Sequence, residues 1–316
     1  MKYQHTLSKS AFSHGIGLHS GKPVSLAIHP APTYTGIVFV KQIGSQIISI
    51  PASIDFLGNT DHCTTLESDD FQIQTVEHIL AALVGLEIDN AYVELEGNEI
   101  PAGDGSAATF VEIIQEAGII QQEATRTYLK IVEPITVGDE QRSIRVIPSP
   151  LPKISYFIDF SNHPLIQQQE FVHACTPLEF QKQIAPARTF AFRQEVEYLW
   201  SRGLGLGGSL QNTVVFSDTD LVNEDGLRFP DECVRHKVLD LIGDLALLGV
   251  PVIGHFVAKC SGHWLHAELV KAIKNRPEKW ILFNAGSQTK SDITSATKQQ
   301  APAPFLPDLQ PAFHAL

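Results

Sequence analysis

His236, Asp240 and Asp244 stand four residues apart within DECVRHKVLDLIGDLALLGV, residues 231–250. In the same run Val234, Val238, Leu241, Leu245 and Leu248 recur at three- and four-residue spacing, which predicts a helix with one buried stripe. On that helix the polar residues form a second stripe on roughly the opposite side. An imidazole and a carboxylate one turn apart can approach one cation together, and their nitrogen and oxygen donors suit zinc or iron. The same spacing also describes a surface helix with a modest His–Asp ion pair. The chemistry therefore depends on whether the chain supplies a third ligand, a base and a polarising group.

Candidates exist for each. Glu77 and His78 are adjacent in TVEHILAAL. Consecutive helical residues point about 100° apart, so only one can face a metal squarely while both border one cleft. His78 is then a possible third ligand and Glu77 a general base; a core-edge histidine beside a solvated glutamate is the plainer alternative. Lys237 flanks His236 and can stabilise oxyanion charge or bind a phosphate, unless it is simply solvated. Asp244 can orient an imidazole or hold it protonated. His263 and His266 in KCSGHWLHA follow a predicted strand, where a loop can present an acid, and spacing alone does not separate them.

The glycine-rich RGLGLGGS, residues 202–209, lacks the Lys-Ser/Thr ending of a phosphate loop, which excludes nucleotide hydrolysis. Its glycines permit tight turns around a narrow passage. Leu199, Trp200, Leu204, Leu206 and Leu210 can line that passage for an acyl chain or pack as ordinary core.

The elements that must position these groups follow from patterning. Residues 1–30 read as strand, turn, strand, followed by strands near 36–40 and 46–50. A helix is expected over 73–85, a strand over 91–97, a turn-rich loop in IPAGDGSAA and a helix over 108–117. After a polar break at 121–127 the order restarts, with strands near 128–132, 143–147 and 154–160. Next come a helix over 192–200, a strand near 213–216, the 231–250 helix, a strand near 253–259 and a helix over 265–274. Strands precede paired helices in both halves, which suggests two related α+β domains with the cleft between them as the site. The expected domains are 1–122 and 123–286, and the Ser-, Thr-, Gln-, Ala- and Pro-rich 287–316 is expected to be a disordered tail.

Composition narrows the class. With 316 residues, 43% hydrophobic and 18% charged, the chain is globular and long enough for two domains. A net charge of -12 argues against a nucleic-acid partner, which needs a basic surface. No signal-peptide core or 18-residue apolar run is present, so no stable membrane insertion and a cytoplasmic location are expected. Cys63, Cys175, Cys233 and Cys260 are widely spaced and read as free thiols.

Six motifs carry a more specific signal: TVEHILAALVGLEIDN, IPAGDGSA, APARTFAF, SRGLGLGGSLQNTVV, NEDGLRFPDECVRHKVLDLIGDL and KCSGH. In this order, across residues 4–280, they resemble the zinc-dependent UDP-3-O-acyl-N-acetylglucosamine deacetylases of lipid A synthesis. The resemblance implies an α+β fold, a two-layer β-α-α-β sandwich of two similar domains with helices packed between outer sheets. It implies one Zn2+ per chain on His78, His236 and Asp240, a set that Fe2+ also suits, and Glu77 as the base acting on zinc-bound water. Thr189 with Lys237 would hold the oxyanion, and His263, kept positive by Asp244, would protonate the departing sugar amine. The substrate would be the UDP-3-O-acyl-N-acetylglucosamine and the products acetate and the 2-amino sugar nucleotide. The 192–215 insert would wall the acyl tunnel, with Phe190, Leu199, Leu204, Leu206 and Ser209 at it. A monomer is expected.

Two features depart from the family pattern. His266 stands where the family usually carries asparagine, which bears on hydrogen bonding around the acid, and Ala102-Gly103 replace larger residues in IPAGDGSA. The rival functions are a metal-free acyl-thioester dehydratase and a non-catalytic binding protein on the same fold. The first has no spare domain to occupy, and the second leaves the complete candidate set unexplained.

Overall fold

The computed structural model describes residues 3–69 and 71–285. The expected tail lies outside the described residues. The chain opens with β1 (Tyr3–Leu7), β2 (Ala11–Ile16), β3 (Pro23–Pro30), β4 (Ile37–Ile43) and β5 (Gln46–Pro51). A small hairpin, β6 (Leu66–Glu67) and β7 (Gln72–Ile73), leads into α1 (Glu77–Gly85), followed by β8 (Ala91–Glu96), α2 (Ala108–Ala117) and β9 (Ile119–Thr125). The second half contains β10 (Thr127–Ile131), β11 (Ile135–Gly138), β12 (Ser143–Ile147), β13 (Lys153–Phe160) and β14 (Gln167–Ala174). It continues through α3 (Pro177–Glu179), β15 (Phe190–Phe192), α4 (Arg193–Ser201) and β16 (Val214–Phe216). It closes with α5 (Glu232–Leu245), β17 (Val252–Ile253), β18 (His255–Lys259), α6 (His263–Lys274) and β19 (Trp280–Asn284).

The two halves repeat one topology. Their five-stranded sheets run β2-β3-β8-β4-β5 and β11-β12-β18-β13-β14. In each, the last strand in sequence sits at the centre, parallel to the third and antiparallel to the second. The helix that most closely precedes that central strand is α1 or α5, and the one that follows it is α2 or α6. Along β13, Ile154, Tyr156 and Ile158 are buried at every second position, so one face of the sheet packs inward while the other stays wetter. The helices lie between the sheets, as the resemblance implies, and residues of both halves share one hydrophobic cluster. Outside the main sheets, β1 pairs with β9, and β10 lies between β17 and β19.

α1 and α5, topological equivalents, pack against each other at the centre. α1 is buried from Glu77 to Leu83, and α5 is buried from Glu232 to Asp244 apart from Arg235 and Lys237. The second stripe of α5 therefore faces protein rather than water, because the two halves cover this helix from both sides. That excludes the surface-helix reading.

Two helix ends differ most from the expected ones. α1 starts at Glu77 rather than near residue 73, since Ile73 pairs with Leu66 and Thr75 takes a left-handed φ of 61°, which no helix interior accommodates. α5 ends at Leu245, passes into a tighter turn at Ala246–Leu248 and stops at Gly249 with φ of 72°, followed by Pro251.

The close approach of the central helices depends on Gly243. A Cβ there would lie 2.1 Å from the Glu77 carbonyl oxygen and 2.8 Å from its Cα, so the obstacle is backbone rather than a flexible side chain. Gly243→Ala is expected to lower stability by about 3 kcal/mol and to weaken metal retention, because α1 must withdraw with Glu77 and His78. Urea unfolding and metal titration of the same preparation check both effects.

Candidate metal centre

α1 and α5 bring His78, His236 and Asp240 together, although the first lies in the other half of the chain. One ligand atom from each lies within 4.8 Å of the other two. Asp240 Oδ1 is 3.4 Å from His236 Nε2 and 3.7 Å from His78 Nε2. Donors about 2.1 Å from a common tetrahedral ion lie roughly 3.4 Å apart, so these spacings suit one small divalent cation. The two imidazoles meet edge to face with centroids 5.0 Å apart.

Protonation suits ligation as well. His236 Nδ1 donates to the Ala187 carbonyl at 3.0 Å, which leaves the Nε2 lone pair free. Burial pushes the His236 pKa down to about 3, keeping the ring neutral. Burial opposes the Asp240 carboxylate, but Lys237, His236 and a hydrogen bond from His78 outweigh it and hold its pKa well below the ordinary value. Lys237 Nζ donates to Asp240 Oδ2 at 2.7 Å, the oxygen opposite to the one near the imidazoles.

Around these three stands a second set. Glu77 begins α1, is 3% exposed, and its Oε2 accepts the Thr64 N–H at 3.0 Å. Burial raises its pKa above the ordinary carboxylate value. His263 Nε2 lies 3.9 Å from both Glu77 Oε1 and Asp240 Oδ2. The imidazole thus borders the ligands without belonging to them. His263 opens α6 rather than sitting in the loop before it, where the helix dipole disfavours a cation. Burial disfavours it too, yet the charge and hydrogen bond of Asp244, at 2.8 Å from His263 Nδ1, raise its pKa to about 9. Against burial, His263 by charge and hydrogen bond, together with His266, bring Asp244 down to about 2.

Asp244 serves more groups than spacing suggested. Its Oδ2 also accepts His266 Nδ1 at 2.7 Å, and its Oδ1 accepts the Thr64 hydroxyl at 2.5 Å. His266 Nε2 in turn lies 3.0 Å from Ser261 Oγ and 3.1 Å from the Tyr156 hydroxyl, and the Tyr156 hydroxyl donates to the Ser261 carbonyl at 2.8 Å. His266 is thus a fully buried support for Asp244, with a pKa lowered by burial. Asp244, His263 and His266 also form a cluster compatible with a cation. There, however, Asp244 Oδ2 is already committed to two ring nitrogens.

Sequence reasoning missed Thr64, Tyr156 and Ser261. Thr64 touches Glu77, Asp244 and His263, but nothing local in CTT marks it.

The remaining expected residues are Thr189, Phe190 and those of the insert. The Phe190 ring is 6.5 Å from His236 and 5.8 Å from Lys237 Nζ. Thr189 is half-buried beside it; its N–H donates to the Gly105 carbonyl at 2.8 Å, and its carbonyl accepts the Val214 N–H at 2.8 Å. In the insert, Leu199 and Leu204 are half-buried, whereas Trp200, Leu206, Ser209 and Leu210 are exposed. Leu204 lines a cavity of about 210 Å³ between the insert and the first half, whose floor includes His19, Cys63 and Thr65.

A family model described as UDP-3-O-acyl N-acetylglycosamine deacetylase matches residues 4–275. The chain belongs to that deacetylase family. A UDP-3-O-acyl-N-acetylglucosamine deacetylase of Myxococcus xanthus is 46% identical over 282 residues, covering 89% of this chain and 90% of that protein. The one from Nitratidesulfovibrio vulgaris is 45% identical over 278 residues, covering 88% and 90%. The one from Pseudomonas entomophila is 43% identical over 289 residues, covering 90% and 95%. The match therefore spans both halves of the deacetylase fold and every residue of the His/His/Asp cluster. Among the described residues, no helix is long and apolar enough to cross a membrane.

Proposed function

We propose that this deacetylase hydrolyses the N-acetyl group of UDP-3-O-(3-hydroxyacyl)-N-acetylglucosamine, releasing acetate and the 2-amino sugar nucleotide. The observation that carries the reading is the convergence of His78 from α1 with His236 and Asp240 from α5, with Glu77 and His263 flanking them. These three residues would hold Zn2+, and the same donors suit Fe2+. Bound there, the ion supplies a Lewis acid that polarises the amide carbonyl and lowers the pKa of water from about 16 to about 7.

The side chains do the rest. Glu77 takes a proton from the attacking water, and burial helps by raising its basicity. Lys237 and the Thr189 hydroxyl donate to the oxygen of the tetrahedral intermediate. His263 delivers its Nε2 proton to the sugar nitrogen as the C–N bond breaks, while Asp244 grips Nδ1. Water contributes its oxygen to acetate, and the amine leaves neutral. Phe190 and the insert bound the space for the 3-O-acyl chain. Both halves of the site come from one chain, which fits a working monomer, and the four free cysteines fit a reducing cytoplasm.

The decisive assay follows acetate and free amine from the UDP-3-O-acyl substrate. Release in equal amounts, abolished by a chelator and restored by zinc, is expected; release that persists after the metal is removed would refute this reading. The acid role of His263 has its own check. His263 must be protonated and Glu77 ionised, so kcat/KM rises with pH through the raised Glu77 pKa and falls through that of His263, about 9. Asp244→Asn leaves burial of His263 less opposed and should move the alkaline limb down by about 2 pH units. An unmoved limb would remove His263 from the acid role.

A further inference from the structure

The peptide at residues 187–189 touches both parts of the proposed chemistry. The Ala187 carbonyl accepts His236 Nδ1, and Thr189 follows two residues later. Between them Arg188 turns away into the protein, with 2% of its surface exposed. Its backbone N–H and its Nε both donate to Glu232 Oε1, at 3.0 and 2.9 Å. Nη2 reaches Glu232 Oε2 at 3.3 Å and the Gly226 carbonyl at 2.7 Å, and Nη1 reaches Asp225 Oδ2 at 3.0 Å. Glu232, 1% exposed, lies in the first turn of α5, one turn before His236.

An ion pair this deeply buried gains little over apolar residues of equal volume, so stability is a weak reason for it. It differs from an apolar pair in direction. A planar guanidinium fork on a carboxylate fixes the relative placement of two segments. Here one segment carries His236, and the other supplies the carbonyl that selects the His236 tautomer. Glu232 also accepts the Arg228 N–H at 2.7 Å, and Arg228 Nη1 binds the Pro186 carbonyl at 2.9 Å, so the peptide leading into residues 187–189 is held as well.

We propose that Arg188 and Glu232 are positioning residues for the reaction, setting the Ala187 carbonyl against His236 and placing Thr189. The proposal rests on the reading of His236 as a metal ligand. Because their partners orient a ligand rather than bind the ion, changes here act on metal release and turnover together.

The test compares zinc-loaded full-length enzyme with Glu232→Gln, Arg188→Lys and the double replacement Arg188→Met with Glu232→Met. Three quantities are measured well below the melting temperature: zinc transfer to a chromophoric chelator, kcat and KM. Tm is recorded beside them. Glu232→Gln, nearly isosteric, is expected to release zinc about 10- to 100-fold faster and to lose a similar factor in kcat, with KM within about twofold. Arg188→Lys, keeping the charge without the fork, should fall between it and the parent. The double replacement should recover Tm but not zinc retention. Parent-like zinc release and kcat in any folded variant, whatever its Tm, would overturn the proposal. An unaltered enzyme that retained no zinc would instead overturn the metal site itself.

Discussion

Replacing Glu77 with glutamine is expected to leave a folded, metal-retaining protein whose kcat has fallen by roughly 10²- to 10⁴-fold, the usual contribution of a positioned general base. The substitution keeps the volume and the carbonyl oxygen that accepts the Thr64 N–H at 3.0 Å, so the α1 N-terminus should stay in place. Only the capacity to take up a proton disappears. KM should change little, since the carboxylate acts on water rather than on the sugar nucleotide. Steady-state kinetics with circular dichroism and metal content on one preparation check all three statements. Turnover within a few-fold of the parent would remove Glu77 from the role of base.

Replacing His78 by alanine should have the largest effect on the metal. Partners that merely orient a ligand cost about 10- to 100-fold in metal affinity when lost, so losing a ligand itself should exceed ~100-fold. The same holds for His236 and Asp240. Alanine at Asp240 also strands Lys237, whose Nζ lies 2.7 Å from the lost carboxylate, and leaves an unpaired ammonium beside the site. Metal analysis after dialysis, with Tm measured in parallel, separates loss of the ion from loss of the fold. Full occupancy in all three variants would contradict the assignment.

Part of this site is legible in the sequence for a simple reason. His236, Lys237, Asp240 and Asp244 share one helix, where a spacing of three or four residues becomes one face. His78 is different. A histidine in TVEHILAAL is a candidate ligand only if α1 lies along α5, and nothing local in the sequence says that it will; the family motifs supplied that. The contact itself depends on Gly243, which appears in sequence as one more helix-weakening glycine and in three dimensions as room for the Glu77 backbone.

Residues acting through long-range hydrogen bonds were out of reach. Thr64 meets Asp244 across 180 residues, and Tyr156 meets His266 across 110. Neither has a local pattern, because a hydroxyl can serve any partner the fold delivers. The duplication was visible as repeated order, strands then paired helices, but not as repeated residues. Each half needs only the alternating and helical periods to build its sheet and its helix pair, and the chemistry resides in side chains that the halves do not share. α1 starts later than its apolar period predicts for a local reason: the period continues back to Ile73, while the backbone reverses hand at Thr75.

The most direct test of the account is the position of the metal, obtained by anomalous diffraction at the zinc edge from crystals of the zinc-loaded protein. A single peak about 2.0–2.2 Å from a ring nitrogen of His78, a ring nitrogen of His236 and an oxygen of Asp240, with Glu77 and His263 beside it, is the predicted result. A peak held instead by Asp244, His263 and His266, or one lacking His78, would contradict it.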